Sequence, residues 1–351
     1  MSVTLKEIAD ASSVSISTAS RALSGHPGIN GETANRVREA AQRMNYRVRQ
    51  TDVLDKTLEG TEVGIFCLGM GSSLTALPTV AAAIGGAEST LAGKGARTIF
   101  ASIPDLGNPP ESVMSKLPEA LILAGAMQGD FLASGSREFI QSLRSRSTVW
   151  LLGKPEGGWG DVVGSNDYEV GAMAARTLLD AGHQRLAFLN PKPDHLIFNR
   201  REDGFRAAAR RGGAKSVESI CEPPGKGWEL PLEVPENVDS IEASIEQLLT
   251  SPNRPTGVFA AADTIAVLAY RALTARGLVV GKDISLVSGN NDATLIAGLH
   301  PALTTCDIAA STIGEQAVRQ LEMRIRSGAD LPETEVWLTP LLKLADSVTK
   351  C

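Results

Sequence analysis

From Val63 onward, short apolar runs alternate with amphipathic stretches of helical length, and this alternation restricts the fold more than any other feature of the chain. The runs Val63 to Leu68, Arg97 to Ala101, Ala120 to Ala124, Thr148 to Leu152, Arg185 to Leu189, Val217 to Cys221, Gly257 to Ala260 and Ile284 to Val287 have the length and apolar content of buried strands. Between them, Thr79 to Ala92, Ser136 to Leu143, Tyr168 to Ala181, Asn199 to Arg211, Ser240 to Leu249, Thr264 to Arg276 and Ile308 to Arg326 repeat apolar residues at helical spacing. Strands that alternate with helices form parallel sheets with helices on both faces, because each crossover helix lays its apolar stripe on the sheet. The region is long for a single sheet, so two lobes are predicted, dividing near Val163 to Ser165 and again near Ser288 to Asn291. Ligands of open α/β sheets collect beyond the carboxyl ends of the strands, so two facing lobes create a cleft lined by those ends.

The first 46 residues follow a different pattern, that of three short helices. Thr4 and Glu7 have the spacing of a capping box, and Leu5, Ile8 and Ala9 form a stripe that ends near Ala11. Ser12-Ser13-Val14 makes a tight turn, and Ser15 suits the N-cap of a second helix that runs to about Leu23, before the breaker Ser24-Gly25-His26-Pro27-Gly28. Asn30 caps a third helix, where Val37, Ala40, Ala41 and Met44 recur at helical spacing while Arg36, Arg38 and Arg43 fall mostly on the other face. A helix, a tight turn and a second helix with hydroxyls and an arginine outside is the arrangement of a helix-turn-helix DNA reader, with a merely packing three-helix domain as the alternative. Short hydroxyls let a helix approach phosphates closely, and arginine can contact guanine through two parallel donors. Charge points the same way: residues 1–50 hold seven Lys/Arg against four acids, a net +3 in a chain whose net charge is −6. The remainder therefore carries −9, which fits a nucleic-acid-binding head on a body with another task.

Several other classes find no support. Hydrophobic residues make up 43% of the chain, as in ordinary folded proteins. The start MSVTLKEIAD lacks a secretory leader's apolar core, and no run of eighteen apolar residues occurs, so no membrane span and a cytoplasmic location are expected. Cys67, Cys221, Cys306 and Cys351 lie far apart and form no CxxC or Cys/His cluster, which predicts reduced thiols and no metal site. Gly69-Met70-Gly71 begins like a dinucleotide fingerprint, yet it lacks the third glycine and an acidic residue about twenty positions on. With no GxSxG, HExxH or P-loop, and with His26, His183, His195 and His300 dispersed, neither an enzyme nor a cofactor is expected.

The segment TLKEIADASSVSISTASRALSGHPGINGETANRVREAAQRMNY, with V-S-x-x-T-x-S-R across Val14 to Arg21 and the closing Asn45-Tyr46, resembles the DNA-binding headpiece of the lactose-repressor (LacI/GalR) family. The resemblance continues through Gly182-His183-Gln184-Arg185-Leu186-Ala187-Phe188, Arg201-Glu202-Asp203-Gly204-Phe205, Phe259 to Asp263, Asp283 to Val287 and Pro301 to Thr305, so it spans nearly the whole chain. It implies an all-α helix-turn-helix headpiece (1–46), a hinge (47–61) and a two-lobed α/β effector domain of periplasmic-binding-protein type with parallel sheets. The N-terminal lobe is expected from 62–164 and 290–328, and the C-terminal lobe from 165–289 and 329–351.

The same resemblance implies a homodimer on a palindromic double-stranded operator, controlled by a small carbohydrate-like effector between the lobes. Its base-reading positions fall on Ile16, Ser17 and Arg21, with Ser15, Thr18, Ser20 and Asn30 as caps or phosphate contacts and Arg47 and Arg49 as further phosphate attractors. Effector contacts are expected at Arg201, Asp263, Asn290, Asn291, Leu77, Asn199 and Trp228. Three have a plainer alternative: Arg201 a salt bridge to Glu202 or Asp203, Asp263 a helix cap, and Trp228, like Phe198, simple packing. Asn290-Asn291-Asp292 replaces the family's usual G-F/Y-D-D/N segment, and Ala262 stands where many members have an asparagine. The hinge departs furthest. The family's P-N-x-x-A-x-x-L falls on Val48, Arg49, Asp52 and Asp55, and a carboxylate is a poor wedge for a negatively charged minor groove, so Val53 or Leu54 must serve in a shifted register or DNA bending is slight.

Overall fold

In the computed structural model, residues 4–23, 29–44, 58–192, 194–221, 231, 239–327 and 332–351 are described. Asn45-Tyr46, the hinge positions Arg47, Val48, Arg49, Asp52, Val53, Leu54 and Asp55, and Trp228 lie outside the described residues. The chain divides into two units, Met1–Thr61 and Glu62–Cys351.

The first unit holds α1 (Leu5–Ala11), α2 (Ile16–Leu23) and α3 (Gly31–Arg43). The capping box forms as expected: the Thr4 amide donates to Glu7 Oε2 at 2.7 Å, and the Glu7 amide donates to Thr4 Oγ1 at 3.4 Å. Ser13 turns the chain with a left-handed φ of 55°, and the Val14 amide closes the turn on the Ala9 carbonyl at 3.0 Å. Arg36 Nε donates to the Ser12 carbonyl at 3.1 Å, tying α3 to that turn. Ile8, Ala9, Ala19, Ala22, Val37, Ala40 and Ala41 are buried together, and the alanines of α2 let its neighbours approach closely.

In the second unit β1 (Glu62–Leu68), α4 (Pro78–Gly93), β2 (Arg97–Ile103), β3 (Ala120–Gly125), α5 (Arg137–Arg144), β4 (Ser147–Leu152) and β5 (Asp161–Ser165) build the first lobe. The second follows with α6 (Asp167–Asp180), β6 (Arg185–Asn190), α7 (Leu196–Arg211), β7 (Ser216–Cys221), α8 (Asp239–Thr250), β8 (Gly257–Ala260), α9 (Asp263–Ala275), β9 (Ser285–Asn290) and β10 (Thr304–Asp307). After these come α10 (Ala310–Ser327), β11 (Glu335–Leu338) and β12 (Leu341–Lys343). The sheets run β2-β1-β3-β4-β5-β11 and β7-β6-β8-β9-β10-β12. Their common order is a repeat of architecture that the sequence does not display. All pairings are parallel except β10 with β12.

The sheets draw the lobe boundaries differently from the expected segments. Strand β10, expected in the first lobe as part of 290–328, pairs with β9 in the second sheet with Thr304 opposite Val287, so the chain crosses near 308–310 rather than at 288–291. Strand β11, expected in the second lobe as part of 329–351, pairs with β5 in the first sheet. The buried Asp161 explains this return, since its carboxylate accepts from Gln320 Nε2 at 2.9 Å, Arg324 Nε at 3.0 Å and the Thr334 amide at 2.8 Å. One carboxylate thereby fastens α10 and the approach to β11 to β5. Hydrogen bonds hold its pKa below the usual range against the opposing effect of burial.

Helices α6 and α7 cross without side chains between them: a Cβ added to Gly171 would sit 1.8 Å from the Arg201 carbonyl oxygen, and one on Gly204 1.8 Å from that of Tyr168. The close crossing brings Arg201 to the start of α6, beside Asp167. The end of the chain is also fixed, because the Cys351 amide donates to the Ala181 carbonyl at 2.9 Å and His183 Nε2 donates to the Thr349 carbonyl at 3.0 Å.

Candidate functional site

Helix α2 presents a polar face because its small residues are used for packing. At about 100° per residue, Ile16, Ser17, Ser20 and Arg21 occupy one arc and Ala19 and Ala22 the other. Ile16 is 49% exposed although apolar, and Ser17 and Arg21 are exposed beside it, while Ser20 and Thr18 are half-buried. Ser15 is a cap: its Oγ accepts the Thr18 amide at 3.0 Å and lies 2.8 Å from Thr18 Oγ1. Asn30 does the same for α3, its Oδ1 accepting the Glu32 amide at 2.8 Å. Ile16, Ser17 and Arg21 thus form an exposed group on one rigidly seated helix.

In the second unit a cavity of about 360 Å³ lies between the lobes. Its wall is drawn from residues at or just beyond strand carboxyl ends: Met70 after β1, Gly125 of β3, Leu152 of β4, Ser165 of β5, Lys192 after β6 and Ile308 after β10. This is where α/β sheets place ligands. The lobes meet across it, with Thr79 Oγ1 of α4 donating to Asp292 Oδ1, and the Leu196 amide donating to the Met127 carbonyl at 2.9 Å.

Arg201 lies in the wall and is 2% exposed. Its Nε donates to Asp167 Oδ1 at 2.8 Å, Nη1 to the Ala261 carbonyl at 2.6 Å and Nη2 to Asn290 Oδ1 at 2.9 Å. Its carboxylate partner is therefore Asp167, from the start of α6, and not the adjacent Glu202 or Asp203; Glu202 instead accepts from Arg206 Nε at 2.7 Å. Burial pushes the Asp167 carboxyl up, and Arg201 pulls it back towards ionisation.

Asp263 is fully buried but does not line the cavity. It is the first residue of α9 and leaves the cap position to Ala262. Its carboxylate accepts from Ser288 Oγ, from Thr305 Oγ1 at 2.8 Å and from the Asp292 amide at 2.6 Å, joining the ends of β8, β9 and β10. Burial raises its pKa to about 6.

Of the other expected effector residues, Leu77 and Asn290 line the cavity, whereas Asn199 and Asn291 do not. Asn291 turns outward to Asp307, donating from Nδ2 at 3.0 Å. Asn290 and Asn291 both have left-handed backbone, with φ of 118° and 59°, a conformation that asparagine accepts more readily than most residues. Sequence reasoning missed Ser165, Thr79, Lys192 and His195 and set Asn166-Asp167 down as a helix cap above a ligand contact, yet Asp167 and the other four are all in the wall. The usable signal was position, since four of these follow strand ends or open helices. His195 stacks on Phe198 with 4.1 Å between ring centroids, and burial with nearby Lys192 and Arg201 lowers its pKa to about 3, so it is a neutral imidazole. Burial lowers Lys192 to about 8.

Among the described residues no helix is long and apolar enough to cross a membrane, and no group of three His, Cys, Asp or Glu is placed to hold a metal ion. A helix-turn-helix unit with an exposed reading face, joined in one chain to a two-lobed α/β unit enclosing a ligand-sized cavity, defines a ligand-responsive DNA-binding transcription regulator. Residues 4–48 match the bacterial regulatory proteins of the lacI family, and residues 175–348 match the periplasmic binding protein-like domain. The chain thus carries a lacI-family regulatory region followed by a periplasmic binding protein-like domain. It is 26% identical over 343 residues to the ribose operon repressor of Escherichia coli (strain K12), covering 97% of this chain and 98% of that protein. Among solved structures, a transcriptional regulator CelR–cellobiose complex superposes with a TM-score of 0.66 at 21% identity, covering 98% of this chain and 99% of the other. The lac repressor dimer bound to operator does so with a TM-score of 0.63 at 18% identity, covering 99% and 100%. The matched relatives are transcription regulators, not enzymes.

Proposed function

We propose that this protein is a cytoplasmic, non-catalytic repressor that binds a palindromic operator as a homodimer and changes its operator affinity when a carbohydrate-like effector occupies the cavity. The observation that carries the reading is the exposed group Ile16, Ser17 and Arg21 on a helix whose other side is buried. Ser17 and Arg21 suit base edges, Ile16 suits a thymine methyl, and Thr18 and Ser20 suit phosphates. The names of its relatives support the remainder: a ribose operon repressor, a regulator bound to cellobiose, and a repressor dimer bound to operator.

Arg201, Asn290 and Leu77 would contact the effector directly, and Asp263 would position the Asn290–Asp292 segment through its hydrogen bond from the Asp292 amide. Control requires only that effector and DNA favour different lobe arrangements, and the interlobe bonds Thr79–Asp292 and Leu196–Met127 are the contacts such a change would remake. The test is operator binding by fluorescence anisotropy at several salt concentrations, with and without sugars. Affinity should fall steeply with salt, because phosphate contacts release counterions. Binding that ignores salt and DNA sequence would reject the reading.

A further inference from the structure

Among the described residues the cavity wall carries four charged side chains, Asp167, Lys192, Arg201 and Asp292. Three of them belong to one network: Arg201 donates to Asp167 and to Asn290, Asn290 hydrogen-bonds Asp292, and Asp292 accepts from Thr79. Lys192 comes from another segment, just beyond the carboxyl end of β6. Its amide donates to Asn190 Oδ1 at 2.8 Å, and its carbonyl accepts the His195 amide at 3.1 Å. The same segment touches the first lobe, where Gln128 and His195 form an isolated antiparallel bridge beside the Leu196–Met127 hydrogen bond. In this seam both amide atoms of Gln128, Nδ2 of Asn190 and Nδ1 of His195 are buried without a hydrogen-bond partner among the described residues. Buried polar atoms in that state are uncommon in folded proteins and call for a polar or ionic occupant nearby.

The charges then decide what kind of ligand fits. Arg201 already has its charge met by Asp167 at 2.8 Å. Lys192 is 7% exposed, and burial lowers its pKa to about 8, so near neutral pH it is mostly cationic in a place that disfavours the charge. A neutral ligand filling the cavity takes further water from that ammonium and returns no charge, whereas anionic oxygens return both charge and acceptors. The hydroxyls of Ser165 and Thr264 and the neutral His195 imidazole suit either kind of ligand. The Asp167 and Asp292 carboxylates can accept from ligand hydroxyls but repel an acidic group, which sets the direction in which a ligand carrying both would lie.

We infer that the effector is an acidic carbohydrate, with its carboxylate or phosphate on Lys192 and its hydroxyls on the Asp167, Arg201, Asn290 and Asp292 network. The inference rests on the carbohydrate reading above and adds to it the charge of the ligand and the residue that selects for that charge.

Isothermal titration of the full-length protein would compare D-glucose, D-galactose and D-ribose with their sugar acids and terminal phosphate esters, and with acetate and inorganic phosphate. At least one acidic derivative should bind about tenfold or more tighter than its parent sugar, the size of one charge-assisted hydrogen bond. The carboxylate and phosphate members show which of the two groups the site takes. Lys192→Met should abolish the preference for the acidic derivative, and Lys192→Arg should retain part of it. The comparison of ligands on the unaltered protein stands whether or not a variant folds. Parent sugars that bind as tightly as their acidic derivatives overturn the inference and leave the carbohydrate reading intact, and so does a preference that survives Lys192→Met. Acetate or inorganic phosphate binding as tightly as the acidic sugar overturns it too, because the hydroxyls would then contribute nothing. Binding by none of the panel overturns both.

Discussion

Replacing Arg201 with alanine should destabilise the two-lobed unit, and should do so in a way that depends on pH. The substitution removes the donors to Asp167, to the Ala261 carbonyl and to Asn290, and leaves a buried carboxylate uncompensated. Removing one partner of a buried ion pair costs about 3 to 5 kcal/mol. At about 2 °C per kcal/mol for a unit of this size, the melting temperature should fall by roughly 6 to 10 °C. Burial already raises the pKa of Asp167, and loss of Arg201 raises it further. A carboxyl whose folded pKa lies above its unfolded value favours the folded state at low pH, and that advantage disappears as pH rises through the folded pKa. The deficit of Arg201→Ala relative to the parent should therefore be smaller at pH 4 than at pH 8. Urea unfolding followed by circular dichroism across that range measures both quantities. The double variant Arg201→Ala/Asp167→Asn, which removes both charges of the ion pair, should regain part of the loss at pH 8. An equal deficit at pH 4 and pH 8, or a double variant no more stable than the single one, would refute the reasoning.

Gly171→Ala should unfold or loosen the second lobe, since its Cβ would lie 1.8 Å from the Arg201 carbonyl oxygen and overpacking of this kind costs about 1 to 3 kcal/mol or more; a melting temperature within 1 °C of the parent would contradict the crossing described. Arg21→Ala should lower discrimination between operator and scrambled DNA by about 1 to 3 kcal/mol in competition binding, with little change in thermal stability because the side chain is exposed. Asp263, raised to about 6 by burial, stabilises the fold below its unfolded value of about 4 and loses that contribution as pH rises through 6, on the order of 3 kcal/mol in all. Unfolding of Asp263→Asn should lack that slope between pH 4 and pH 6.

Elements with strong periodicity were legible in the sequence. The helices α4 to α10 and the central strands form close to their expected bounds, because each has an apolar pattern long enough to identify its period. Strands β5, β10, β11 and β12 were not identified. Strand β5 follows Gly157, Gly158 and Gly160 and reads as loop, and the other three are short segments identified as strands only by their neighbours. The crossing near 308–310 was illegible for the same reason, since it is set by the pairing of Thr304 with Val287. In the cavity, Arg201 was identifiable from residue type and position, but its partner Asp167 read as part of a helix start because the two are 34 residues apart. Asp263 shows the converse. Its place after a strand suggested a ligand contact or a helix cap equally, while hydroxyls contributed by β9 and β10 occupy its carboxylate.

The return of the chain to complete both sheets with β11 and β12 has a consequence for biosynthesis. The three described helices of the DNA-reading unit are complete once residue 43 has emerged, but the first sheet waits for residue 338 and the second for residue 343. At about 5 to 20 residues per second, a ribosome needs roughly 15 to 60 s to make the intervening chain. During that interval a nascent headpiece can be folded while neither sheet is complete, so the unit that gates it does not yet exist. Translation rate and messenger position relative to DNA thereby become variables in when this regulator first comes under the control of its ligand.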